Sequence, residues 1–278
     1  TDFAEHERDN TGAYTLVQDK FGKHQLQLSG RADDNEAFGT HRTGNLAWSY
    51  DVNAEEQVIL SHGTAFIAPT FNDLYYVDPY FNGNPDLDPE TSRSTELGFT
   101  GRYGWGQWET RAYHTVIKNL IINVSTDPLD WAAPWTTVNA NRAEINGMEF
   151  EVSGKTAGWD NMINLSLVDA KDAETGNQLQ GRARHTLKMN IAKNFNRYRI
   201  AANLLAQSSR FADAANTVEL AGYAVLNLMV ERNLNKNWAL KARLDNVLDK
   251  EYSTSTNFYG DLTNNTPVSL FVTLSYKH

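Results

Sequence analysis

The feature that most constrains this chain is a two-residue period of apolar and polar side chains, repeated nearly from end to end. Successive side chains of a β-strand point to opposite faces, so this period describes strands with one apolar and one polar surface. In Gln25 to Ala32, Leu26, Leu28, Gly30 and Ala32 share one face, and Gln25, Gln27, Ser29 and Arg31 share the other. Leu46, Trp48 and Tyr50 alternate with Asn45, Ala47, Ser49 and Asp51, and Leu97 and Phe99 with Ser94, Glu96 and Thr100. Met148, Phe150 and Val152 oppose Glu149, Glu151 and Ser153. The scheme recurs at Ile163 to Leu167, Thr186 to Ile191, Arg199 to Gln207, Trp238 to Asp245 and Val268 to Tyr276. Gln57 to Phe66 and Gln107 to Ile117 alternate poorly and are placed as strands partly by their neighbours. Roughly thirteen strands result, near the ~9–11 residues that a tilted membrane strand needs.

The connections alternate as well. Short turns are expected at Phe21–Gly22, Val52–Ala54, Tyr103–Gly106, Thr156–Gly158, Asn194–Arg197 and Asn233–Asn237. Long polar loops are expected at Asp33–Arg42, Ala68–Arg93, Ser125–Arg142, Ala170–Ala183, Ser209–Gly222 and Lys250–Pro267. Short turns at one end and long loops at the other describe the wall of a transmembrane β-barrel, with the short side periplasmic. Tyr50, Tyr103, Trp105, Trp108, Trp159, Tyr198, Trp238 and Tyr276 mostly abut the short turns, as an interfacial girdle would. A mean hydropathy of -0.53 and 41% hydrophobic residues do not oppose this reading, because alternation hides a barrel wall from averaged hydropathy. The rival architecture is a large soluble β-sandwich or propeller, whose apolar face would line a closed core. No blade-like repeat supports the propeller.

Several chemistries find no support. A formal charge of -9 opposes nucleic-acid binding. With no cysteine there are no disulfides, thiolate metal sites or thiol nucleophiles. The seven histidines form no short metal-binding pair, and no hydrolase, Walker or dinucleotide motif occurs, so neither enzyme activity, metal site nor cofactor is expected. Asp86 and Asp88, between Pro85 and Pro89, are read as loop or capping residues rather than calcium ligands. Asp73, Asp78, Asp127, Asp130 and Asp261 are read as solvated loop acids. No signal peptide is visible at Thr1, so the chain reads as mature, truncated or both.

Three stretches carry a resemblance. AFIAPTFNDLYY (Ala65 to Tyr76) runs on to GNPDLDPETSRSTELG (Gly83 to Gly98), followed later by NRAEINGMEFEVSG (Asn141 to Gly154) and LKARLDNVLDKEYS (Leu240 to Ser253). Together they resemble the TonB-dependent outer-membrane receptors. The segment LVDAKDAETGNQLQGRARHTLKMNI (Leu167 to Ile191) is most similar to the cobalamin-receptor branch. The resemblance implies an all-β antiparallel transmembrane barrel wall in the bacterial outer membrane, active in transport. Residues 1–278 would be the C-terminal segment of a barrel with about 22 strands. The plug, the TonB box and roughly nine strands would then lie outside this chain. Ser275-Tyr276-Lys277-His278 departs from the aromatic end usual in the family. An open sheet exposes unpaired edges that lipid cannot satisfy, so the wall is expected to pair with missing strands, close on itself or multimerise.

The implied partners are outer-membrane lipid or lipopolysaccharide, the missing plug and strands, the TonB complex acting through the plug, and a small ligand such as cobalamin or a siderophore. The alternatives are a siderophore, haem or sugar receptor of the same family, or a soluble β-rich binding or adhesion module. Loops carry the candidate ligand site, because binding residues favour loops on a rigid scaffold. Tyr75, Tyr76, Tyr80, Phe81, Asn82 and Asn84 offer stacking area and hydrogen bonds to a bulky amphipathic ligand. Asp130, Trp131 and Trp135 form a second cluster, and Asn257, Phe258 and Tyr259 a third. The polar strand residues Arg31, Glu96, Glu149, Glu151, Lys188, Arg199, Lys241, Arg243 and Asp245 are expected to face a lumen and meet the plug.

Overall fold

The structure is a computed structural model, and it describes residues 7–127, 133–256 and 262–277. Thirteen strands form one antiparallel meander. They are β1 (Asn10–Phe21), β2 (His24–Asn35), β3 (Gly39–Asp51), β4 (Glu56–Ile67), β5 (Glu90–Tyr103) and β6 (Gly106–Ser125). There follow β7 (Trp135–Thr156), β8 (Trp159–Asp172), β9 (His185–Phe195), β10 (Tyr198–Gln207), β11 (Tyr223–Asn233), β12 (Trp238–Asp245) and β13 (Ser269–Tyr276). Each pairs with its neighbour in sequence, so every connection is a hairpin. Among the described residues, β1 pairs only with β2 and β13 only with β12, leaving two open edges. The poorly alternating Gln57–Phe66 and Gln107–Ile117 are both strand, β4 and β6.

Register carries the two-residue period across the sheet. Directly opposed residues of an antiparallel pair share a face. One apolar row runs Leu26, Trp48, Leu60, Leu97, Ala112, Met148, Leu167, from β2 to β8. The next runs Val58, Phe99, Thr110, Phe150, Leu165, Leu187, Ala206. At the far edge Leu240, Ala242 and Leu244 meet Leu274, Val272 and Leu270.

Among the described residues no second layer covers this face. Leu46, Leu60, Leu97 and Leu270 are 48%, 45%, 54% and 66% exposed. The accessible surface is 17456 Å², against roughly 12,000 Å² for a globular protein of this mass. The buried leucines Leu74, Leu87 and Leu220 belong to the connections between the main strands and not to a layer between sheets. A soluble sandwich with a closed core is therefore excluded, and the apolar face needs hydrocarbon.

Aromatic rings gather at the short-turn end of the apolar face. Trp48 Nε1 donates to His24 Nδ1 (3.1 Å), and the His24 ring lies 4.9 Å from Tyr50. Phe99 and Trp108 (5.1 Å), Tyr103 and Trp105 (6.1 Å) and Trp238 and Tyr276 (4.9 Å) continue the belt. Lys193 reaches over Trp159 and Arg232 over Tyr198, the pose of long cations whose stems lie along apolar surface. All six short turns lie where the alternation put them. At one of them Ala157 and Gly158 take φ of 51° and 79°, the paired positive values of a type I′ hairpin.

The long-loop end departs from expectation. Asp33–Arg42 is not a loop: β2 and β3 pair through Asn35 and Gly39, joined by residues 36–38. The loop expected at Ser125–Arg142 shrinks to residues 126–134, because β7 begins at Trp135. The reason is physical. Strands that rise above the hydrocarbon have water on both faces, so their alternation fades while pairing continues. Residues 173–184, 208–222 and 246–268 are long connections, as expected.

Gly147 on β7 shows how local chemistry fits the wall. A Cβ there would run into the Tyr113 ring, which crosses the strand at that point. Gly147→Val is expected to destabilise the folded wall by about 1–3 kcal/mol through overpacking. Denaturant unfolding in micelles measures it, and Tyr113→Ala in the same background should recover part of the loss.

Candidate functional site

The loop between β4 and β5 is a built structure. A short helix, Phe71–Tyr75, begins with a capping box. Asp73 N donates to Thr70 Oγ1 (3.2 Å) and Thr70 N to Asp73 Oδ2 (2.8 Å). Leu74 is buried beneath it. Two short strands follow, Val77–Asp78 and Phe81–Asn82. The Tyr76 hydroxyl donates to Asp78 Oδ2 (2.9 Å) and Tyr80 N to Asp78 Oδ1 (2.7 Å). The Tyr80 amide is the main cause that holds the Asp78 carboxyl below its ordinary range, with the Tyr76 hydroxyl adding to it against a partly burying surround.

This loop is stapled to β7. Phe81 and Asn82 pair in parallel with Trp135 and Thr136, and Trp135 N donates to Tyr80 O (2.7 Å). Asn84 Nδ2 donates to Thr137 O (3.0 Å), and Asp88 N to Asn139 Oδ1 (2.8 Å). Gly83 sits where a Cβ would lie 2.8 Å from the Leu74 carbonyl and the Tyr75 amide. Tyr75, Tyr76, Tyr80, Phe81, Asn82, Asn84 and Trp135 thus form one unit. Trp135 joins this first cluster rather than a second one. Asp130, Trp131, Asn257, Phe258 and Tyr259 lie outside the described residues. Asn84 serves loop structure, since its side chain also accepts from Asp86 N (3.0 Å).

A second apron joins the three later loops. Gln178 N donates to Asn216 Oδ1 (2.8 Å), and Asn216 Nδ2 returns a bond to Gln178 O (2.9 Å). Gly181 N donates to Phe211 O (2.8 Å). Arg210, 5% exposed, donates to Thr254 O (3.0 Å) and lies over Tyr223, whose ring stacks on Tyr252 at 4.4 Å. Burial alone would push the Asp213 carboxyl up. Bonds from the Thr217 and Val218 amides and the Thr217 hydroxyl outweigh it, so the group titrates below the ordinary carboxylate range. A depressed folded value means that the stabilisation is present above pH ~5 and is lost as pH falls below about 4. The protection of the Thr217 and Val218 amides against hydrogen exchange, taken relative to their intrinsic rates at each pH, should therefore fall in acid, and Asp213→Asn should lack it at pH 7 already. Arg210, Gln178 and Asn216 escape sequence reasoning, because a buried polar residue in a loop shows no period.

The polar face gathers the expected lumen residues. Register puts Arg31, Glu96, Glu149, Glu151, Lys188, Arg199, Lys241, Arg243 and Asp245 all on it. Arg31 pairs with Asp33 (2.5 Å) and Arg243 with Asp245 (3.0 Å). Arg199 Nη1 donates to Asn194 Oδ1 (3.2 Å), and Asn164 Nδ2 to Glu151 Oε2 (2.5 Å). Arg111 bonds Glu109 and lies 3.9 Å from Glu96. Asn190, Asn203 and Asn227 form an amide ladder across β9, β10 and β11. Among the described residues no cluster of three metal-ligating side chains occurs.

A family model described as "TonB dependent receptor-like, beta-barrel" matches residues 1–247. The chain belongs to the TonB-dependent receptor β-barrel family. Its place is the bacterial outer membrane, and the uncovered apolar face of this receptor wall meets lipid. Among the relatives it resembles is "Vitamin B12 transporter BtuB" of Photobacterium profundum, 31% identical over 277 residues. That match covers 100% of this chain and 44% of the relative. The Vibrio vulnificus protein of the same name is 30% identical over 277 residues, with the same two shares covered. The receptor wall is similar in fold to the siderophore receptor PiuA from Acinetobacter baumannii, with a TM-score of 0.78 at 16% identity. That likeness covers 98% of this chain and 43% of PiuA. The ferric enterobactin receptor PfeA of Pseudomonas aeruginosa gives 0.76 at 19% identity, over 97% and 45%. The chain thus spans about 44% of the length of the curated relatives it matches.

Proposed function

We propose that this chain is the C-terminal barrel segment of a cobalamin uptake receptor. The observation that carries the ligand is the 31% identity along the whole chain to a vitamin B12 transporter. The fold likenesses to siderophore receptors lie below 20% identity and speak for architecture alone.

The loop unit of Tyr75, Tyr76, Tyr80, Phe81, Asn82 and Trp135 forms part of the external capture surface, to which Trp131, Phe258 and Tyr259 also contribute. Half-buried rings and amides around the exposed Tyr80, on a hydrogen-bonded loop, suit a large, flat, amphipathic ligand, because little ordering entropy remains to be lost on binding. The polar face, with Arg31, Glu96, Glu149, Glu151, Arg199, Lys241 and Arg243, lines the lumen and contacts a plug that the TonB complex pulls. The wall performs no covalent chemistry, and its work is to hold loops and plug in register.

Quenching of tryptophan fluorescence in the purified receptor by cyanocobalamin, with ferric enterobactin as the competitor, tests the ligand. Saturable quenching by cyanocobalamin alone is the expected result. Saturation by the siderophore alone would move the assignment to the siderophore branch.

A further inference from the structure

The polar inward face carries an apolar patch near its upper end. Ile117 on β6 is opposite Ala143 on β7, and Ile145 on β7 lies between Thr115 and Ala170. By register both isoleucines share the face that Arg111 and Glu149 occupy lower down. Leu179 is tied alongside, its amide donating to Ala170 O (2.9 Å). Ile117, Leu120, Ile121, Ile122, Ile145 and Leu179 line a cavity of about 320 Å³. Asp73 of the β4–β5 loop, Gln178 and Arg182 of the β8–β9 loop and Ala214 of the β10–β11 loop help to complete it. The cavity thus lies between the two loop units, and both contribute to its wall.

Gln178 gives this apolar cavity its polar point. The residue is 6% exposed, and Asn216 holds its backbone from both the N–H and the carbonyl. Its side-chain nitrogen donates to Arg182 O. The remaining atom, Gln178 Oε1, is an acceptor, and among the described residues no donor reaches it. Among the described residues the side-chain atom that is fully buried without a partner is Arg210 Nη1, so Gln178 Oε1 keeps access to open space. The cavity is the space that its residue lines. Two carboxylates on the same wall are engaged in their own turns. Asp73 accepts from Thr70 N (2.8 Å) and Thr70 Oγ1 (2.6 Å), and Asp172 from the Glu174 and Thr175 amides (2.8 and 2.9 Å). Their charge opposes an anion. A free acceptor among isoleucines calls for a neutral N–H or O–H donor on an apolar stem.

We propose that this cavity seats one propionamide arm of the corrin ring of the ligand, with its methylenes along Ile117 and Ile145 and its amide N–H on Gln178 Oε1. Such an arm is apolar along its stem, uncharged, and ends in a donor beside an acceptor. The exposed Arg182, also on the wall, carries the N–H groups that the arm's carbonyl needs. The volume stands at the low end of the ~300–1,000 Å³ range of small-molecule sites, so it holds an arm and not a whole corrin. The assignment rests on the cobalamin reading given above. It adds to the aromatic loop unit a contact that selects for the amide.

The test titrates the purified receptor with cyanocobalamin and with its monocarboxylic acids, in each of which one propionamide arm has been hydrolysed. One of these acids should bind at least about tenfold more weakly than cyanocobalamin, because a carboxylate cannot donate to Gln178 Oε1 and meets the charge of Asp73 and Asp172. The others should bind nearly as well as the parent. Ile145→Phe fills the cavity, so it should weaken cyanocobalamin by about tenfold and remove the difference among the acids. Heat-modifiable migration on gels reports that the variant is folded. Equal binding of cyanocobalamin and all its acids by wild type overturns the cavity assignment and leaves the cobalamin reading standing. Unchanged discrimination in folded Ile145→Phe overturns the assignment as well. A wild-type receptor that does not bind cyanocobalamin overturns both.

Discussion

Leu165→Arg is expected to destabilise the folded wall by about 2–4 kcal/mol, while Ser166→Arg one residue later should be nearly silent. Leu165 stands between Phe150 and Leu187 in the middle of the apolar face. It is 37% exposed, and hydrocarbon is what it is exposed to. A guanidinium there must leave water or thin the bilayer around it. Ser166 lies between Glu149 and Thr186 on the polar face, where a cation gains a carboxylate neighbour and keeps its hydration. Reversible unfolding in phospholipid vesicles reads both. Equal penalties at the two positions would mean that the faces are not distinguished by solvent, and the membrane reading would fail with them.

Gly83→Val is expected to weaken ligand capture by at least about tenfold, with little change in barrel stability. Its Cβ would press on the backbone of Leu74 and Tyr75, which cannot give way as a side-chain tip could. The clash breaks the bonds from Gly83 N to Tyr76 O (2.6 Å) and from Asn84 N to Asp73 O (2.7 Å). With them goes the register that seats Phe81 beside Trp135. The affinity falls because the rings lose their fixed spacing and binding must order them again. The cyanocobalamin titration proposed above measures the first effect, and unfolding in vesicles the second. A variant with wild-type affinity would remove this loop from the capture surface.

Leu165 and Ser166 could be assigned to opposite faces from the alternation alone, as could Glu149 and Phe150. The short turns were legible because hydrocarbon ends abruptly at the girdle and the chain must reverse there. Asp33, Asp34 and the stretch from Trp135 to Ala140 were not legible as strand. Above the membrane both faces are wet, and a paired strand there has no reason to alternate. Trp135 was grouped with Trp131 by nearness in sequence. It pairs instead with Phe81, 54 residues earlier, because β7 carries it up beside the β4–β5 loop. Arg111 and Glu109 went unnoticed in a segment whose period is weak. The short side chains of Ala112 and Thr110 take apolar positions there, and a period needs large side chains to be visible.

Alternation of side chains along an extended backbone is a local property, so the order of residues alone determined the all-β class, the two solvents of the wall and the ends bearing short turns. Contacts between residues far apart in the chain are not local. Only the folded sheet decided that Tyr76, Phe81 and Trp135 share one loop unit and that Arg210 holds the loop at Thr254. Each of these depends on strand register, which sums many weak pairings and leaves no mark at any single position.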